Sequence, residues 1–355
     1  MDMRIVVTGA TGNIGSAVLR ALDGRGHDVH GVARRPPGGS GAVTWTSLDL
    51  SEEGCAPELE ALVGWADAVV NLAWAFQPMR RRGYLHRASV GIVERVAHAV
   101  LGTPHTRLVH LSSVAVYSPR RSPSFVREDW AREGIPGATY SQLKVRAERA
   151  LTDAAVTAGA RDRVAVVRPA LVGQRAAGGM MLRCGAPAVL PAWALRGVPV
   201  VPVDERFGIQ MIHAGDVADV VVRILEQEAA GAFNVASDPV LSSWDIAAAL
   251  RARPVRVRQE VVRAAAAVAW RGHLSPLDPG WVDMALQAPW VDSSRARDLL
   301  GWRPRSGADQ VLAEVVRGMT EGAGEGSTTA LRSRHVLDGL RRAVAQGSVA
   351  RRRFT

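Results

Sequence analysis

The chain has 355 residues, 47% of them hydrophobic, and only two cysteines, Cys55 and Cys184; that is enough for one large core or two lobes, and too few thiols for a disulfide scaffold. The formal net charge of +10 is nearly all arginine, spread along the chain and concentrated only between Arg332 and Arg353, so with no recognisable nucleic-acid module a nucleic-acid partner is not expected. No apolar run approaches the ~18 residues of a membrane helix, and MDMRIVVTGATG enters the first strand without a leader, so a soluble, cytoplasmic protein is expected.

In chain order, Arg4 to Thr8 (RIVVT) reads as a buried strand, and Asn13 to Arg25 as a helix with Ile14, Val18, Leu19 and Leu22 on one face. Asp28 to Ala33 and Ala68 to Leu72 are strands, followed by a helical stretch from Leu85 to Val100. Arg107 to Leu111 is a strand, Thr139 to Ala158 a long helix, and Val164 to Val167 a further strand. Short β-branched runs alternating with helices predict an α/β fold with a doubly wound parallel sheet covered on both faces. From about residue 170 Gly and Pro become frequent, then a strand and helix return at Gln210 to Glu226. Further helices are expected at Ser242 to Leu250 and Asp292 to Leu300. Residues 319–355 read as a basic tail with one short helix from Arg334 to Val344. No internal repeat is present.

The first strand runs into Thr8-Gly9-Ala10-Thr11-Gly12-Asn13-Ile14-Gly15. Glycines at 9, 12 and 15 permit a tight turn, close approach of a pyrophosphate, and close helix–strand packing. The helix N-terminus then offers N–H groups and a positive dipole end to phosphates. A nicotinamide dinucleotide is the expected cofactor, held by Gly9, Thr11, Gly12, Asn13, Ile14 and Gly15. An acidic residue at the end of the second strand would favour NAD(H), and an arginine NADP(H). Here Ala33 is followed by Arg34 and Arg35, so NADP(H) is favoured, with NAD(H) the alternative. Asp49 and Leu50 are expected near the adenine.

Lys144 is the one lysine in the chain, and it lies four residues after Tyr140, one of three tyrosines. That spacing puts both on one helix face. A free tyrosine has a pKa near 10; a nearby ammonium is expected to lower it toward useful acid/base range. Ser113, coming off the strand 107–111, is placed to polarise a substrate carbonyl.

These motifs resemble an extended short-chain dehydrogenase/reductase of the NAD-dependent epimerase/dehydratase family, over roughly residues 3 to 318. Thr8 to Gly15 matches its TGxxGxxG loop; Ser113, Tyr140 and Lys144 match its triad; Asn71-Leu72-Ala73, Arg168-Pro169 and Ile212 to Ala218 match later landmarks. The resemblance implies a Rossmann-type domain over 1–169 plus about 205–236. It implies a smaller, discontinuous C-terminal substrate lobe over about 170–204 and 237–318. Tyr140 would be the acid/base, Lys144 the ribose ligand and pKa modulator, and Ser113 the substrate-oxygen ligand. Leu72, Ala73, Trp74 and Pro169 would border the cofactor. A homodimer through the helices of residues 85–101 and 139–158 is expected by analogy.

The departures from the family narrow the function. Val114-Ala115 follow Ser113 where dehydratases carry Asp-Glu. Ala170-Leu171 and Gln210-Met211 replace the asparagine and arginine that hold a sugar-nucleotide diphosphate. Ala88 or Ser89 replaces an asparagine on the helix of residues 85–100. The expected substrate lining is apolar: Trp74, Phe76, Tyr117, Leu171, Met180, Met181 and Met211, with Ser113. The leading expectation is an oxidoreductase acting on a ketone, aldehyde or secondary alcohol of a fairly apolar small molecule. An NAD-dependent epimerase of a sugar or sugar nucleotide is the alternative, and a non-catalytic NADP-sensing regulator a third. His213 is expected to make a structural hydrogen bond, and no metal is expected.

Overall fold

The computed structural model describes residues 2–38, 41–75, 82–120, 122, 124–185, 192–275, 277–325 and 331–333. Strand β1 (Arg4–Thr8) leads through the glycine turn into α1 (Asn13–Leu22), followed by β2 (Asp28–Ala33), β3 (Thr44–Ser47), α2 (Ala56–Trp65) and β4 (Ala68–Asn71). Next come α3 (Arg82–His86), a π turn (Arg87–Gly91), α4 (Ile92–Leu101), β5 (Arg107–Leu111), the short β6 (Phe125–Val126), α5 (Thr139–Thr157) and β7 (Val164–Pro169). Helix α1 ends at Leu22 rather than at the expected Arg25, because Gly24 takes left-handed backbone at φ +71°.

After β7 the chain forms β8 (Leu171–Gly173), α6 (Gly178–Gly185), β9 (Val200–Val203), β10 (Ile209–His213), α7 (Ala214–Glu226) and β11 (Gly231–Val235). It continues with β12 (Ser237–Leu241), α8 (Ser243–Ala249), β13 (Arg253–Arg256), α9 (Gln259–Arg271), α10 (Pro279–Gln287), β14 (Trp290–Val291), α11 (Ser294–Leu300) and α12 (Ala308–Glu321). The expected helix at Arg334 to Val344 lies outside the described residues. Among the described residues, no helix is long and apolar enough to cross a membrane.

Seven parallel strands form one sheet in the order β11-β7-β5-β4-β1-β2-β3. The near-continuous apolar runs of its strands are explained by burial on both faces. Ile5, Val7, Val70, Val109, Ala165 and Val167 pack toward α1 and α7 in one core. Their strand neighbours Val6, Val69, Leu108 and Val166 pack toward α2, α4 and α5 in a second. The strand order reverses between β1 and β4, which opens a crevice at the carboxyl ends of those strands, where this architecture places ligands. A three-stranded sheet, β12-β10-β8, packs on α12 around a third core of Met211, Leu241, Val311 and Val315. The pairing of β14 with β6 brings the segment that follows α10 back to the main body.

Candidate active site

The glycine turn fits a dinucleotide. Gly9 adopts φ +67°, and a Cβ there would stand 2.8 Å from the backbone N of Ala73. A Cβ on Gly15 would collide with the carbonyl of Gly9. Glycine at those positions lets the turn pack against the segment after β4 and lets α1 pack against the turn, the close packing that this motif requires. The first turn of α1 has no capping side chain and no acidic residue of its own to oppose an anion at its N–H groups. Thr11 is buried in this turn, and the Asn13 side chain donates to the carbonyl of Val172 at 3.2 Å. Arg34 and Arg35 are exposed at the end of β2, and Arg34 donates to the Tyr84 hydroxyl at 3.0 Å. The Asp49 carboxylate accepts from the Ser51 N–H at 2.9 Å and its hydroxyl at 2.7 Å, which fixes the turn after β3 beside the buried Leu50. Pro169 closes β7.

Leu72, Ala73 and Trp74 follow β4, on the same edge. The Ala75 N–H donates to the carbonyl of Ala88 at 3.0 Å, inside the π turn. The π turn widens the helix where the family's asparagine is replaced, and this bond fastens the Trp74 segment to it. Ser89 is fully buried there, and its hydroxyl has no hydrogen-bond partner among the described residues.

Helix α5 presents Tyr140 and Lys144 to the crevice, with Ser113 just beyond β5. Ser113 Oγ accepts from the Ala115 N–H at 3.2 Å and is hydrogen-bonded to Tyr140. Burial pushes the Tyr140 phenol up to about 12, against the opposing pull of that bond. The expected lowering by Lys144 is absent. Its ammonium donates to the carbonyl of Leu111 at 3.0 Å and sits 3.7 Å from the centre of the Trp74 ring. Burial lowers the Lys144 pKa to about 7, with Glu148 pulling it back up. Tyr140 is therefore protonated at neutral pH, and Lys144 is poised between its two forms.

Two tryptophans enclose Tyr140. Trp74 meets it edge-on, with ring centroids 6.2 Å apart. Trp281 stacks on it at 5.3 Å with 28° between the planes. It reaches Tyr140 because α10 docks on the start of α5: a Cβ on Gly280 would stand 2.7 Å from the Ala138 Cα.

Behind the site lies a buried ionic cluster that the sequence reading did not assign. The Glu148 carboxylate accepts from Arg168 Nη2 at 2.6 Å, Arg132 Nη1 at 2.7 Å and the Ser112 hydroxyl at 2.5 Å. Burial alone would raise its pKa; the Arg168 charge and these hydrogen bonds outweigh that and hold it below the usual carboxylate value. The signal was present in the sequence: Tyr140, Lys144 and Glu148 recur at four-residue spacing on one helix face.

Two expected substrate contacts are corrected. Tyr117 is fully buried, donates to Asn234 Oδ1 at 2.7 Å and accepts from Arg168 Nη1 at 2.7 Å, so it braces the framework rather than lining the pocket. Met211 is buried in the third core against α12. Met181 packs on that same core, Met180 is half-buried on α6, and Leu171 is exposed. Phe76 lies outside the described residues. His213 is structural as expected: its Nδ1 accepts from the Gly215 N–H at 3.1 Å and caps α7.

The NAD dependent epimerase/dehydratase family model matches residues 5–236. The chain belongs to that family. The epimerase family protein SDR39U1 of Mus musculus is 31% identical over 281 residues, 74% of this chain and 86% of its own length. The dTDP-6-deoxy-L-talose 4-dehydrogenase (NAD(P)(+)) of Kitasatospora kifunensis is 29% identical over 335 residues, 88% of this chain and 93% of its own. Among solved structures, UDP-glucuronic acid 4-epimerase of Bacillus cereus in complex with UDP-glucuronic acid and NAD superposes with a TM-score of 0.65 at 17% identity, covering 89% of this chain and 99% of that one. The fold is that of the extended short-chain dehydrogenases/reductases, and the family is one of nicotinamide-dependent enzymes of the oxidoreductase and epimerase kind.

Proposed function

We propose that this family member is an NADP(H)-dependent oxidoreductase that interconverts a ketone or aldehyde and the corresponding alcohol. The observation that carries it is Tyr140, hydrogen-bonded to Ser113 and one turn from Lys144, beside a glycine cradle at the strand ends. Bound NADP(H) supplies the hydride carrier. Ser113 holds the substrate oxygen, and Tyr140 delivers its proton to that oxygen as the carbonyl carbon is reduced. A phenol held near 12 is protonated at neutral pH, which favours the reductive direction. Lys144 would hold the nicotinamide ribose, and its charge would orient and tune Tyr140 once the cofactor is bound. Arg34 and Arg35, exposed just after β2, would hold the 2′-phosphate, which favours NADP(H) over NAD(H). The name of the Kitasatospora relative, a dehydrogenase using NAD(P)(+), supports this class of reaction.

Tyr140→Phe should lower turnover by about 10²–10⁴-fold, the usual range for a lost proton donor, with NADPH affinity retained. Full activity in that variant would overturn the assignment. Replacing Arg34 and Arg35 together by alanine should cost NADPH binding far more than NADH binding.

The epimerase reading is favoured by the likeness to the UDP-glucuronic acid 4-epimerase. Denaturing the purified protein distinguishes the two. Tightly held NAD released in stoichiometric amount supports the epimerase, and an empty protein that binds NADPH supports the oxidoreductase. We also infer a homodimer paired through α4 and α5, which sedimentation analysis would test.

A further inference from the structure

Next to Trp281 the smaller set of elements lines a pocket of about 370 Å³, open to solvent on one side and within the size range of small-molecule pockets. Its walls come from β9, α8, α9 and α10, with Val203, Ile246, Val262, Ala266 and Ala285 facing the space. Trp281 belongs to the same wall, and its ring is the one stacked on Tyr140. Trp281 is therefore shared by the cavity wall and by the surroundings of Tyr140.

The polar groups in the lining are already engaged. Asp204 accepts from the Arg206 N–H at 2.9 Å, and Asp278 from the Gly280 N–H at 2.8 Å. Ser243 Oγ donates to the Asp204 carbonyl at 3.2 Å, and Ser275 Oγ accepts from the Leu277 N–H at 3.1 Å. Gln259 donates to Glu260 at 3.3 Å. No lining residue among those described is lysine or arginine, while two are aspartate. A diphosphate would meet two carboxylates and no lysine or arginine in this lining, and the rest of the wall is mostly apolar side chains that offer sugar hydroxyls no partner. A hydrocarbon chain loses nothing in such a space.

We propose that this cavity receives an unbranched hydrocarbon chain of the substrate, which makes the enzyme a reductase of aliphatic methyl ketones or related chain-bearing ketones. The inference rests on the oxidoreductase reading above. The chain passes Trp281 into the cavity while the carbonyl lies at Ser113 and Tyr140. The carbonyl carbon gains a hydride from NADPH, which is oxidised to NADP⁺; the oxygen gains the Tyr140 proton, and the C=O π bond becomes a C–O single bond in a secondary alcohol.

The test uses the full chain, NADPH, and the series from 2-butanone to 2-decanone, with 2-decanone binding also followed by calorimetry without nucleotide. kcat/KM should rise about fourfold per methylene while the chain still lengthens into the cavity. Ala266→Trp and Ala285→Trp fill the cavity from different walls, α9 and α10. In whichever of them unfolds at a temperature near that of the parent, the rise should vanish and 2-decanone binding should be lost, with 2-butanone turnover retained. A flat series in the parent, or a rise that survives in a folded filled variant, overturns the proposal. Binding of 2-decanone that the filled variants abolish, with no ketone reduced, supports the cavity assignment and defeats the oxidoreductase reading. Reduction of 2-butanone without 2-decanone binding does the reverse.

Discussion

Trp281 lies nearly flat on Tyr140, centroid to centroid 5.3 Å, and so supplies much of the cover over the phenol. Burial is the leading cause of the raised Tyr140 pKa. Trp281→Ala should therefore bring it down by about one unit or more toward the ordinary value near 10. Ultraviolet titration of the variant, with Tyr140→Phe as the reference for the other tyrosines, reads this directly. An unchanged ionisation would mean that Trp281 contributes no shielding.

Lys144 is the one lysine of the chain, so labelling lysine with ¹³C at the ε carbon gives a single resonance. Its midpoint should lie at about 7 rather than at 10.5. Between those two values the unfolded chain carries the proton and the folded one does not. This group therefore adds stability as pH rises from about 7 to 10.5, and its cost is fully present below 7. A midpoint above 9 would contradict the burial argument.

His110 behaves in the opposite pH range. It is buried, its Nδ1 lies 3.3 Å from Asn71 Nδ2, and its Nε2 has no partner among the described residues. Burial is the main reason its pKa falls from 6.5 to about 3, with the Lys144 charge adding to it and Glu148 opposing. The unfolded chain takes up a proton below 6.5 that the folded one refuses, so this contribution to stability is lost as pH falls from 6.5 toward 3. Denaturant titrations between pH 6.5 and 5 should show this loss, approaching about 1.4 kcal/mol per pH unit below the midpoint, and His110→Phe should flatten it. Glu148, whose pKa is lowered from 4.5, adds its own loss only at lower pH.

The Glu148–Arg168 pair is almost wholly enclosed, with side-chain exposures of 2% and 3%. Glu148→Ala leaves a buried guanidinium without its counter-charge and should destabilise the protein by about 3–5 kcal/mol. Replacing both, Glu148→Leu with Arg168→Met, should recover a good part of that. Chemical unfolding of the three proteins measures it, and equal losses in the single and double variants would count against the pairing.

The features readable from sequence were those written in local spacing. The glycine turn after β1, the pair Tyr140 and Lys144, and the alternation of strands and helices through β7 all depend on residues close together in the chain. Tyr117 and Met211 misled because an aromatic or methionine near the carboxyl ends of the strands suits a pocket or a core equally well, and which side it faces is set by α12 and Asn234 from far along the chain. Trp281 could not be placed because its contact with Tyr140 depends on α10 docking at Ala138. Helices α9, α10 and α12 were not anticipated. The charge of Lys144 was expected to act on Tyr140, but Trp74 and the Leu111 carbonyl occupy it instead.

The family match ends at residue 236, whereas Trp281 and most of the cavity wall come later. If that cavity takes the substrate chain as proposed, the portion of the chain that defines its kinship is not the portion that sets which molecule fits. Two descendants of one ancestor can keep the same redox machinery and diverge in diet by drift in α9 and α10 alone. Sorting such proteins by what they act on calls for comparing those late helices, where a general family match is silent.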